Sequence, residues 1–167
     1  MSTALQQIDV GVLAERSKAS SPWLDHVWTP SAVVQGAPAA EPWTLIHEAE
    51  DRAQFFVGNI SIELFRSATA HYRDNLASGA PRLWVVLRPT GVEPPFELIA
   101  VTADPNEGEG YTQSGSDLVE PVAMPASIRD ALGAFVAEHH VEQEFFKRRR
   151  DRASPEALGQ RPRGGKR

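Results

Sequence analysis

The stretch FFVGNISIEL, residues 55–64, is the one whose reading decides the fold. Two β-rich runs flank Gly58-Asn59. That pair suits a two-residue primed turn, whose backbone twist matches the strands it joins. The stretch therefore predicts a tight hairpin, and with it an antiparallel sheet. Upstream, QIDVGVLAER places Ile8, Val10, Val12 and Ala14 on one face, as a half-buried strand requires. KASSPWLDHVWTP reads as a loop holding two tryptophans, and SAVVQG as a short strand ending at Gly36. WTLIHEAE alternates again, with Trp43, Leu45 and His47 opposite Thr44, Ile46 and Glu48.

Downstream, SATAHYRDNLASG predicts a short helix with Ser67 as N-cap, Ala68, Tyr72 and Leu76 as its apolar stripe, and Gly79 past its end. RLWVVLR is a continuous apolar run, the mark of a strand buried on both faces. FELIAVTA is a further strand, and a short one follows around DLVEPV. Between them, Asp104, Pro105 and Glu107 match N-cap, N1 and N3 of a capping box, on a helix that two glycines limit to one or two turns. The last helix follows Pro125, with Ile128, Ala131, Leu132, Phe135 and Val136 on one face. Strands in hairpins with inserted helices, and no long β-α-β repeat, predict an α+β single domain. Its sheet should be mainly antiparallel and curled, with about three helices, rather than a Rossmann sheet.

A chain of 167 residues has the length of one domain with a sizeable core. No apolar run reaches the roughly 18–20 residues of a membrane helix. The N-terminus lacks the basic and apolar regions of a signal peptide, so a cytoplasmic location is expected. Cysteine is absent, which excludes disulfides, cysteine-held iron–sulfur clusters and thiolate nucleophiles. Charge divides the chain in two. Residues 147–167 carry nine basic and two acidic side chains, a net of +7, whereas 1–146 carry eight and twenty, a net of −12; together they make the chain's −5. The expected organisation is an acidic globular body, 1–146, and a basic tail, 147–167.

No enzyme signature emerges. G-x-S-x-G and both phosphate-loop patterns are missing, so no catalytic, cofactor-binding or metal-ligating residue is assigned. His139 and His140 are neighbours on a helix and point about 100° apart, which does not suit one shared metal ion. His139 continues the apolar stripe and His140 should turn to solvent. SPWLDHVWTP offers Trp23 and Trp28, with Asp25 and His26 between them. The rings either cover the end of the sheet or form a recognition patch, since tryptophan is a favoured interface anchor. Beyond the last helix, Phe145 and Phe146 either staple the chain to the body or dock on a partner. Lys147, Arg148, Arg149 and Arg150 begin the basic tail, whose composition predicts disorder beyond about Arg152. The tail either solubilises the protein or steers it to an acidic partner. The acidic body argues against nucleic acid.

VGVLAERSKASSPWLDHVWTPSAVV, YRDNLASGAPRLWVVLRP, VTADPNEGEGYTQSG and FVAEHHVEQEFFKRRR, taken in order, resemble an uncharacterised family of small proteobacterial proteins, a domain of unknown function. Its members are often labelled as similar to molybdopterin-guanine dinucleotide biosynthesis protein A. The resemblance covers about residues 8–150, and Trp23, Asp25, Trp28 and Pro30 are its most specific piece. It implies a genomic setting beside formate dehydrogenase and molybdoenzyme chaperone genes, and it carries no catalytic residues. The expectation is a non-enzymatic accessory or adaptor protein for assembly or regulation of a molybdenum-dependent formate dehydrogenase. Its partner would be a subunit of that enzyme or its chaperone. An alternative is a small enzyme handling a nucleotide or other small molecule in molybdenum cofactor maturation, using Asp25, Asp104 and His26. A third is nucleic-acid binding through the tail. The oligomeric state is left open.

Overall fold

The computed structural model describes residues 3–20, 22–23, 26–36, 39–113 and 115–140. In chain order these form β1 (Gln6–Lys18), β2 (His26–Gln35), β3 (Thr44–Glu48), β4 (Arg52–Leu64), α1 (Thr69–Leu76), β5 (Arg82–Pro89), β6 (Phe96–Thr102), α2 (Pro105–Gln113), β7 (Leu118–Ala123) and α3 (Ala126–His139). Every strand pair is antiparallel. One sheet has the order β2-β1-β4-β3 and the other β6-β5-β7. The sheets curl towards each other, with β4 beside β6 and β2 beside β7. The α+β single domain with a curled, mainly antiparallel sheet and three α-helices is thus the observed architecture.

The hairpin expected at Gly58-Asn59 is not formed. Both residues lie inside β4, thirteen residues long, which pairs with β1 from Gln6↔Leu64 to Ser17↔Arg52. Val12 faces Gly58 while Leu13 faces Phe56, so Val57 is an extra residue and the strand carries a β-bulge. Gly58 there has φ 155°. The reason is non-local. β1 supplies a partner as long as the whole stretch, and pairing with it buries Phe56, Val57, Ile62 and Leu64. A hairpin split at Gly58-Asn59, with arms 55–57 and 60–64, would forgo most of that burial.

The inward faces of β1, β5 and α3 follow the sequence pattern, whereas the alternation over Thr44–Glu48 of β3 buries neither face. Ile8, Val10, Val12 and Ala14 of β1 are all buried, as are Leu83, Val85 and Leu87 of β5 and Ile128, Leu132 and Phe135 of α3. α3 packs beside α1, where Phe135 meets Tyr72 edge-on at 6.1 Å. Burial pushes the Tyr72 phenol up to about 12, and its oxygen accepts a hydrogen bond from the Phe65 N–H at 3.0 Å.

Caps depart from expectation in instructive ways. Ser67 lies in a 3₁₀ turn, Arg66–Ala68, and α1 starts at Thr69 with Ala68 as an N-cap that makes no side-chain hydrogen bond. The Thr69 hydroxyl donates instead to the Arg66 carbonyl. α2 has nine residues, and Asp104 caps it by accepting from the Asn106 N–H at 2.9 Å. Glu107 does not reach back to the cap; it accepts from the Thr102 hydroxyl at 2.6 Å. His140 does not turn to solvent. It forms the C-cap of α3, with Nδ1 3.0 Å from the Thr69 hydroxyl and Nε2 buried. Because that hydroxyl already donates to Arg66, Nδ1–H is the donor to Thr69. The His139 ring lies against Phe135 at 4.5 Å, continuing the apolar stripe.

Candidate docking surface

The concave face of the four-stranded sheet ends in aromatic rings. Trp28 is not in a loop; it sits in β2, opposite Arg16 of β1. Arg16 opposes Ala53 and Ala14 opposes Phe55, so all these side chains share the inner face, where the two sheets part. Trp43 comes from the turn before β3 and Phe96 from the start of β6. The Trp28 ring meets Trp43 edge-on at 5.5 Å, Phe55 at 5.3 Å and Phe96 at 6.2 Å. The Arg16 guanidinium lies 5.2 Å from the Phe55 ring and 5.8 Å from that of Trp28, within cation–π range. All five side chains are half-buried, so the cluster has an outer surface.

Trp43 is held in a strained backbone. Its φ is 68°, the left-handed region that costs a bulky residue about 1–3 kcal/mol. Its N–H bonds to the Phe56 carbonyl at 2.6 Å, and the Thr44 hydroxyl donates to the Glu41 carbonyl at 2.6 Å, which fixes the turn. The strain aims the indole inward onto Trp28. From Trp43 and Phe96 an apolar cleft of about 410 Å³ continues between Pro42, Pro94 and Leu98. A smaller polar cleft of about 110 Å³ borders Arg16, lined by Lys18, His26, Glu48, Asp51 and Arg52.

Other apolar groups stand outside the core. Trp23 is 87% exposed on the turn between β1 and β2, and Val27, Leu45 and Ile46 are exposed on the outer strands β2 and β3. Among the described residues β3 pairs with β4 alone, and all five of its residues are exposed, so within them its outer edge is an open template for an added strand.

The family model for a protein of unknown function (DUF3305) matches residues 9–150. The chain belongs to this family. No curated protein and no solved structure matches it.

Within this DUF3305 protein, the sequence-derived site residues separate. Trp23 and Trp28 stand apart in role, one exposed and one in the ring cluster. His26 opens β2 opposite Lys18, on the polar cleft beside the rings. Asp25, Phe145, Phe146, Lys147, Arg148, Arg149 and Arg150 lie outside the described residues, as does the basic tail. Asp104 does not join His26. It lies by α1, near the Leu64 end of β4, whereas His26 lies by Lys18 at the other end of β1. At about 3.3 Å per residue, the thirteen-residue β1 puts some 40 Å between those ends.

Asp104 has a different histidine. Its carboxylate is 3.1 Å from His71 Nδ1, off the direction of a good hydrogen bond, while Asn106 Nδ2 is 3.2 Å from His71 Nε2. The side chains of this trio therefore tie α1 to the start of α2, and His71 lines none of the three clefts found along the sheets. Among the described residues no three His, Asp or Glu side chains gather to hold a metal ion, and no helix is long and apolar enough to cross a membrane. Sequence reading missed Arg16, Trp43, Phe55 and Phe96 as a unit. The signal available was only their aromatic type, since four separate elements bring them together.

Proposed function

We propose that this protein is a non-enzymatic adaptor that docks on a protein partner through its aromatic face, in the assembly or regulation of a molybdenum-dependent formate dehydrogenase. The observation that carries the docking reading is the half-buried cluster of Trp28, Trp43, Phe55 and Phe96 with Arg16 stacked on it; Trp23 adds a second, exposed indole on the turn between β1 and β2. Tryptophan and arginine dominate the energetic centres of protein interfaces, because they bury large areas at modest entropy cost and keep a polar handle. The strained Trp43 supports it further, since strain of this kind is kept where a side chain must be held in a set position. The basic residues Lys147, Arg148, Arg149 and Arg150 add attraction for an acidic partner, which raises the association rate more than the final affinity. The partner, a subunit of the dehydrogenase or its chaperone, comes from the family resemblance alone.

The test is capture by the tagged full chain from cells expressing the dehydrogenase, beside a Trp23→Ala variant and a variant with Arg148, Arg149 and Arg150 changed to Gln. Capture of dehydrogenase subunits or their chaperone, weakened by Trp23→Ala, is expected. The arginine variant should bind more slowly at low salt and as fast as the parent at high salt, where exposed charges are screened. Recovery of no molybdoenzyme component with the parent chain would defeat the assignment.

A further inference from the structure

Between β4 and β6 runs a second cleft, apart from the aromatic face. β4 has β3 beside it only from Ala53 to Phe56, and β6 has β5 on one side alone. The two bare edges lie side by side, and among the described residues no backbone hydrogen bond joins them. They touch at Gly58, where a Cβ would stand 3.8 Å from Leu98, and then part around a cleft of about 370 Å³. Ile60, Phe65, Ile99 and Val101 supply its apolar lining, and Gln7, Ser61, Glu63, Glu107 and Tyr111 its polar lining, with two carboxylates among them. Neither carboxylate has a cationic partner among the described residues. Burial first, and then the charge of Glu107, raise the Tyr111 phenol at its edge.

The chain leaves the body beside this cleft. α3 ends at His140, whose backbone is extended (φ −72°, ψ 130°) and whose ring is bonded to Thr69. Thr69 bonds to Arg66, the neighbour of the wall residue Phe65. Five residues further on come Phe145 and Phe146, followed directly by Lys147, Arg148, Arg149 and Arg150. Five extended residues reach about 17 Å, so the segment can enter the cleft from His140.

We propose that this cleft is the docking site of the chain's own segment 145–150. The two phenylalanines face Ile60, Phe65, Ile99 and Val101, and the following cations face Glu63 and Glu107. The order of the segment, apolar then basic, matches apolar walls that carry carboxylates. The flanking strand edges offer backbone hydrogen bonds to an extended chain. The short tether gives a millimolar effective concentration, so a contact too weak to hold a free peptide suffices. An acidic partner for the tail would then have to compete with the body's own carboxylates. The proposal does not depend on the identity of that partner.

The absence of cysteine makes the test clean, because Ala153→Cys carries a single spin label on the full chain. In the isotope-labelled protein, the amide signals of Glu63, Ala100 and Tyr111 should lose more than half their intensity, while those of Leu45 and Ile46 keep theirs. Replacing Phe145 and Phe146 with Ala, which alters nothing in the described body, should restore the lost signals, and so should Glu63→Lys. Attenuation spread evenly over the body, or centred on Trp28 and Trp43, would overturn the proposal. So would attenuation that appears only when the spin label and the isotope label are on different molecules, since that is exchange between copies. The adaptor reading is judged by capture and can fail without touching this result.

Discussion

Gly108 and Gly110 stand two residues apart in α2 and should answer to alanine in opposite directions. In a helix interior alanine gains about 1 kcal/mol over glycine, because it loses less backbone freedom on folding. At Gly110 nothing lies within 4 Å of the new methyl, so Gly110→Ala should keep that gain. At Gly108 the methyl would stand 2.6 Å from Trp84 Cγ and 2.9 Å from its Cβ and Cδ1. These are about 1 Å short of ordinary carbon contact. A rotamer change cannot relieve it, since Trp84 Cβ is fixed to β5, the central strand between β6 and β7. The helix must move off the sheet, at the roughly 1–3 kcal/mol or more of an overpacked site. Gly108→Ala should therefore be neutral to about 2 kcal/mol destabilised, leaving a gap between the variants of about 1–3 kcal/mol. At roughly 3–4 °C per kcal/mol for a body of this size, the two should melt about 3–12 °C apart. Thermal unfolding followed by circular dichroism reads this directly. Equal melting temperatures, or a more stable Gly108→Ala, would refute the packing of α2 on Trp84, and with it the placement of Glu107 and Tyr111 at the acidic cleft.

Asn75 is 5% exposed and donates to the carbonyls of Arg82 (2.8 Å) and Ala103 (3.0 Å) while accepting from the Arg82 N–H (3.0 Å). Asn75→Ala orphans those three backbone groups and should cost about 3 kcal/mol, read as a lower urea midpoint. Two hydrogen bonds from Arg88, both 2.9 Å, hold the Asp117 carboxyl below its usual range. A folded value below the unfolded one means stability that is present above the unfolded pKa of about 3.9 and lost as pH falls through the folded value, so Arg88→Gln should flatten the acid limb of a stability–pH curve. Tyr72 has the opposite sign, raised by burial from 10.0 to about 12. Its contribution is complete below pH 10 and is lost as pH rises towards 12, and Tyr72→Phe should remove that alkaline slope.

Periodicity made the faces of β1 and α3 legible, because each buries a regular stripe against one neighbour. Ile8, Val10, Val12 and Ala14 alternate as a strand, and Ile128, Leu132 and Phe135 recur at helical spacing. The failures share a cause as well. Gly58-Asn59 has a real local preference for a turn, and Ser67 for a cap, but a partner far along the chain offers more burial than either local motif. Trp23 and Trp28 look alike in sequence and differ only because the antiparallel register with β1 carries Trp28 inward next to Arg16. His140 looked like a solvent-facing cap residue until α1 placed Thr69 against it. The aromatic cluster and the acidic cleft were both beyond local reading, since each draws residues from elements separated by dozens of positions.

The misread glycine also explains why those two sites exist on opposite stretches of one strand. Before the bulge, from Ala53 to Phe56, β4 carries β3 on its outer edge and turns Phe55 inward to Trp28. The extra residue at Val57 adds twist at that point, as bulges do, and swings the second half of β4 away from β3. From Gly58 onward the freed edge runs beside β6 instead. A Cβ at Gly58 would already be in contact with Leu98, at 3.8 Å, so side-chain atoms beyond a Cβ would press on β6. Beyond that pinch the strands part and the acidic cleft opens. A residue with a larger side chain at position 58 should hold the two sheets apart along the whole seam. It would loosen Phe96 from Trp28 on one side and widen the cleft between Ile99 and Ile60 on the other. The Gly58→Val variant should therefore disturb the tryptophan fluorescence and the amide signals of Glu63 and Ala100 together. A change confined to one of the two stretches would show that the pinch does not couple them.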